Sequence, residues 1–99
     1  MRQQQIKVHL RAFGNRERHD MRIVEIPDVS DCTYGSKSDI LDRIFIQGQN
    51  DFHQLNIRSV SSEDIIEYDG EFFGILMAGY KKLNSLDEEF DMFDSADLL

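Results

Sequence analysis

Ile6, Val8 and Leu10 alternate with Lys7, His9 and Arg11, the two-residue period of a strand with one buried and one wet face. Gly14, Asn15 and the polar run Arg16 to Asp20 form a connection. After it, Met21 to Ile26 is again rich in apolar residues (Ile23, Val24, Ile26), up to Pro27. A hairpin accounts for both segments and places Lys7, Arg11 and Arg22 in a basic stripe along its solvated outer side. From Asp28 to Lys37 small polar residues predominate, as in a loop whose side chains compete for backbone groups. Ser38 then stands where a helix over 38–47 needs a cap. Asp39 complements its dipole, Ile40, Leu41, Ile44 and Phe45 share one face, and Gly48 is its stop.

Further on, Phe52 and Leu55 stand alone among the polar residues Gln49 to Asn56, two anchors tying a loop to the core. Val60, Ile65, Ile66 and Tyr68 lead into Asp69-Gly70, and Phe72, Phe73, Ile75, Leu76 and Met77 follow. Asp-Gly between two apolar runs predicts a hairpin closed by a type I′ turn. Tyr80 to Leu83 adds a last short strand, and Gly74 and Gly79 signal a bulge or a close approach of another segment to the backbone. The expected fold class is α+β: a small, mainly antiparallel sheet of four to five strands with one helix packed on it, formed by residues 1–83 as a single domain.

Residues 84–99 differ in character. Phe90, Met92, Phe93, Leu98 and Leu99 are interleaved with acids, a pattern that keeps apolar anchors in solution until they enter a groove on a partner. Ser85 with Glu88 three residues on matches a capping box, and Leu86, Phe90 and Phe93 partly fit one helical face. The spacing therefore allows a helix, but about 14 residues with six mutually repelling acids are too few to hold one alone in water. Two arrangements follow: a disordered tail that orders on a partner protein, or a tail folded back over its own sheet or that of a second copy.

Composition narrows the class. Ninety-nine residues suffice for one core and not for two. With 40% apolar and 30% charged residues the chain is globular rather than disordered. No run approaches the ~18 apolar residues needed to span a bilayer, and Met1 to Gln5 leads into strand-like alternation, so a cytoplasmic location is expected. Cys32 is the sole cysteine, which excludes an internal disulfide. The net charge is −8, and six acids with no base lie beyond Ser85, leaving −2 for residues 1–85. That balance argues against loose binding to phosphate backbones, whose affinity rests on Lys and Arg.

Candidate chemistry is sparse. His9, His19 and His53 lack a spacing that sets two ligands on one helical face, so no metal or other cofactor is expected. Asp39 with Asp42 and the adjacent Glu63 and Asp64 are read as solvated carboxylates, since paired carboxylates catalyse only where burial splits their pKa values. Ser36, Ser38, Ser59, Ser61 and Ser62 have no neighbouring base, and Ser59 and Ser61 are assigned to main-chain hydrogen bonding where a loop enters a strand. No residue is assigned a catalytic role.

The segment Arg58-Ser59-Val60-Ser61-Ser62-Glu63-Asp64-Ile65-Ile66, with the ending Gly79-Tyr80-Lys81-Lys82-Leu83, resembles the corresponding strand, turn and Gly-Phe-x-x-Leu ending of the YodL-like family over residues 38–83. Glu63 departs from that pattern, which commonly has a small residue there, and the tail after Leu83 lies outside it. The resemblance implies a setting in bacteria, phages or plasmids and carries over no catalytic residue. The expectation is a non-enzymatic protein-interaction module of a mobile element or phage, inhibiting or modulating a host protein, with acids that in one version imitate nucleic acid. A nucleic-acid-binding or accessory domain using Lys7, Arg11, Arg16, Arg18 and Arg22 is the alternative, and a structural homodimer is the third.

Overall fold

Each apolar run becomes an element. The computed structural model describes residues 3–11, 21–27, 36–49 and 60–96. These form β1 (Gln3–His9), β2 (Met21–Pro27), α1 (Lys37–Gln47), β3 (Ile65–Tyr68), β4 (Glu71–Leu76) and β5 (Gly79–Leu83). The five strands make one sheet in the order β2-β1-β3-β4-β5, antiparallel throughout. The α+β class is therefore as expected. The connection at Gly14 to Asp20, the loop before Ser36, and the anchors Phe52 and Leu55 lie outside the described residues, as do Cys32, His19 and His53.

Strand order follows from the connections. β1 and β2 are adjacent in the chain and pair as a hairpin, with Ile6 opposite Val24 and Val8 opposite Arg22. The chain then passes through α1 and re-enters as β3 on the other side of β1, with Val8 opposite Ile66. Asp69 (φ 52°) and Gly70 (φ 75°) close the β3–β4 hairpin. Positive φ at both central residues is what a type I′ turn requires, and its twist matches that of the strands it joins.

Because side chains alternate across a sheet, register sorts the residues into two faces. Ile6, Val8, Val24, Ile26, Ile66, Tyr68, Phe73, Ile75 and Tyr80 lie on the face beneath α1, where Leu41 and Ile44 are fully buried and Val60 joins them. Arg22 shares this face with Val24 and Ile26 and is only 2% exposed. Arg11 is buried as well, whereas Lys7 is exposed on the opposite face. The expected basic stripe of Lys7, Arg11 and Arg22 is thus not a stripe: a two-residue period puts residues 7 and 22 on opposite sides once Val8 stands opposite Arg22.

α1 begins one residue earlier than expected, at Lys37. Ser36, not Ser38, is the cap: its backbone is extended and its Oγ accepts the Asp39 amide at 3.3 Å. Both serines precede an acid-containing first turn, and Ser36 is the one whose hydroxyl accepts a first-turn amide. Gly48 ends the helix as expected. A Cβ there would come within 2.5 Å of Val60 Cγ2, so its smallness lets the chain at Val60 close over the helix end.

Glu63 adopts φ 76°, in the left-handed region, inside the turn where the Asp64 amide bonds to Ser61 O at 3.1 Å. A side chain there costs ~1–2 kcal/mol, part of which glycine returns through its greater unfolded-state freedom. Glu63→Gly is expected to raise stability by about 0.5–1 kcal/mol in urea denaturation, with Glu63→Ala showing no such gain.

Candidate functional site

The chain beyond β5 folds into turns rather than a helix over residues 84–96, which corrects the helical option. The reason is its acids. Glu88 Oε1 accepts the Asn84 amide at 2.9 Å, while the Glu88 amide reaches Ser85 O at 3.3 Å. Asp91 Oδ1 accepts the Phe93 amide (2.9 Å) and Asp94 Oδ2 the Asp91 amide (3.1 Å), with Asp94 N donating to Asp91 O (2.9 Å). Short acidic side chains bonding nearby amides offer the backbone an alternative to a helix.

These turns form a strap across the sheet face opposite α1. The Phe90 ring lies directly over Gly74, so that a Cβ on Gly74 would sit 2.8 Å from it. The Met77 amide donates to Met92 O at 2.8 Å, and Lys81 Nζ pairs with Asp94 Oδ2 at 3.2 Å. A Cβ on Gly79 would lie 2.6 Å from Ala96 Cβ. On this face Ile65, Leu76 and Leu83 are buried although they stand outside the core cluster beneath α1. The close approach signalled by Gly74 and Gly79 is that of the strap.

The five candidate partner anchors are therefore divided. Phe90 is seated on the protein's own sheet and Met92 is half-buried, its carbonyl engaged by Met77. Phe93 is 75% exposed, and Met77, bonded to its neighbour Met92, is 63% exposed. Leu98 and Leu99 lie outside the described residues. Tertiary structure adds Met77, which the sequence presented as one more apolar position of a strand. The signal for its exposure was its place at the end of the run, two residues before Gly79.

Charge around the strap is organised. The Asp91 amide, and then Lys81, hold the Asp94 carboxyl below the usual carboxylate range. On the other face Glu71 receives Lys82 Nζ at 2.6 Å and Lys37 Nζ at 2.9 Å, which lower its pKa in that order, and the Lys37 ammonium stands 5.5 Å above the Phe73 ring. Burial, reinforced by a 2.6 Å hydrogen bond to Asp42, raises the Tyr80 hydroxyl. His9 bonds Glu67 at 3.0 Å and stands 6.2 Å from the Phe72 ring.

Asp64, read from the sequence as solvated, is fully buried. Its Oδ1 accepts the Arg11 amide at 2.9 Å and its Oδ2 the Ser61 amide at 2.8 Å. It ties the end of β1 to the turn leading into β3, and Arg22 enters the interior from the same end of the sheet. Ser62 Oγ donates to Leu76 O at 3.4 Å, while Ser59 lies outside the described residues. These contacts hold the frame. Met77 and Phe93 are exposed on the strap side, and Ile46 on α1 and Met21 on β2 are exposed as well. Among the described residues no helix is long and apolar enough to cross a membrane. Comparison with known proteins returns no match to a family model, to a curated protein or to a solved structure.

Proposed function

We propose that the chain is a non-enzymatic protein-interaction module of a bacterial mobile element or phage, which modulates a host protein through an acidic surface centred on Phe93 and Met77. One observation carries it: two large apolar side chains, 75% and 63% exposed, belong to segments joined at the β4–β5 turn by the hydrogen bond from the Met77 amide to Met92 O, with Asp91 and Asp94 flanking Phe93 in the chain. Exposed aromatic and Met side chains amid charge serve as anchors at protein interfaces, and the acids add encounter rate and discrimination. The partner chemistry that fits is an apolar pocket with a basic rim. The resemblance of Arg58 to Ile66 to the YodL-like family supports the bacterial setting. The nucleic-acid alternative loses two of its cations to the interior, since Arg11 and Arg22 are buried; Arg16 and Arg18 lie outside the described residues.

The test is affinity capture from bacterial lysate with the full chain beside the full chain carrying Met77→Ser and Phe93→Ser. Loss of a partner in the double variant, with unchanged circular dichroism, is the expected result. Equal capture of the same partner by both chains overturns the assignment.

A further inference from the structure

We propose that Asp94 is an acid-sensitive latch: charged, it fastens residues 84–96 to β5, and protonated, it lets them leave the sheet while the core beneath α1 stays folded. One oxygen carries both fastenings. Asp94 Oδ2 accepts the Asp91 amide at 3.1 Å, which closes the turn from Asp91 to Asp94, and it pairs with Lys81 Nζ at 3.2 Å, which ties that turn to β5. Met92 lies within the same turn, and its carbonyl takes the Met77 amide at 2.8 Å. Closing the turn and seating the strap are thus coupled. Release takes the Phe90 ring off Gly74, beside which Ile65 and Leu76 are buried on that face. Both stand outside the core cluster beneath α1.

A strap of turns has few contacts to offset the entropy of its ordering, so loss of one fastening shifts its equilibrium. The Asp91 amide, and then Lys81, hold the Asp94 carboxyl below its usual range, which gives the sign. The closed strap favours the charged carboxylate. Its stabilisation is complete above the usual aspartate value of about 3.9 and is lost as pH falls through the lower closed-state value. From the sheet, Lys81 faces Asp94; on the strap, Glu88 and Asp91 accept the Asn84 and Phe93 amides, and acid weakens these turns too. His9, Glu67 and Lys7 share that sheet face but stand on β1 and β3, with Glu67 bonded to His9 at 3.0 Å. Acid also relieves repulsion among Asp87, Glu89 and Asp91. These are exposed, and salt at physiological strength screens such charges over about 8 Å, so the loss of contacts dominates.

The test follows hydrogen exchange by NMR on the full chain in salt, each amide's rate compared with its unstructured rate at the same pH. The Met77 amide reports the strap, and the Ile75 amide, bonded to Asp64 O at 2.9 Å, reports the sheet. As pH falls from about 6 to about 2, Met77 is expected to lose protection before Ile75 does. Asp94→Asn, neutral at every pH, is expected to lower Met77 protection about fivefold already at about pH 6 and to leave Ile75 unchanged. Lys81→Gln keeps the Asp91 bond to Asp94 and is expected to raise the pH at which Met77 opens. Loss of Ile75 together with Met77, in the acidified wild-type chain or in Asp94→Asn, overturns the latch, because the domain then opens as a whole. Full Met77 protection in Asp94→Asn, or an unmoved opening pH in Lys81→Gln, overturns it equally.

Discussion

Replacing Asp64 with alanine is expected to lower stability by about 2–4 kcal/mol, measured by urea denaturation followed by far-ultraviolet circular dichroism. The carboxyl is fully buried and accepts two main-chain amides, those of Arg11 and Ser61. The Arg11 hydrogen bond is buried, so water cannot take over that amide when the acceptor is removed; the Ser61 bond is half-buried and loses less. Asp64 also fixes the sheet through its backbone, since its carbonyl accepts the Ile75 amide at 2.9 Å. Alanine retains that bond and loses only the side-chain contacts, which isolates the carboxyl's contribution. For a domain whose whole stability is about 5–15 kcal/mol, the loss is a large share. Asp64→Asn keeps an oxygen that can accept one amide and is expected to fall between the wild-type chain and the alanine variant. A loss below about 1 kcal/mol for alanine would mean that water or a rearranged turn replaces the carboxyl.

Phe73→Ala is expected to cost about 3–5 kcal/mol, from lost transfer energy and the cavity left behind. Phe73 is fully buried, set between Ile66 and Lys82 in register on the face beneath α1, with the Lys37 ammonium over its ring. Its removal also ends that cation–π contact, which links the start of the helix to the sheet. Phe93→Ala provides the contrast: the same change in chemistry at a side chain 75% exposed is expected to stay within about 0.5 kcal/mol. Similar losses for the two variants would contradict the division between a core aromatic and a surface anchor.

Much of the framework was legible because the signals were local. Ile6, Val8 and Leu10 marked β1 through their period, although Leu10 lies just beyond the strand's end. Asp69-Gly70 marked the hairpin because few dipeptides accept positive φ at both positions. Leu41 and Ile44 marked the buried side of α1 by helical spacing. The candidate site was less legible. Acids interleaved with aromatics marked residues 84–99 as a segment with anchors to place, and nothing local distinguishes an anchor facing a partner from one facing its own sheet. Phe90 found Gly74, sixteen residues earlier in the chain, and Phe93 did not.

By itself, then, the sequence determined the element types, the α+β class, the sheet's β3–β4 turn and the concentration of acid after β5, since each rests on residues close together in the chain. Tertiary structure alone decided that Arg22 and Arg11 are interior, that Asp64 joins the end of β1 to the turn before β3, that Ser36 rather than Ser38 caps α1, and that residues 84–96 cross the sheet as turns. The physical reason is common to these. Burial of a charge is set by which strand it stands opposite, and a short acidic segment with no secondary structure of its own takes its shape from the surface that receives it.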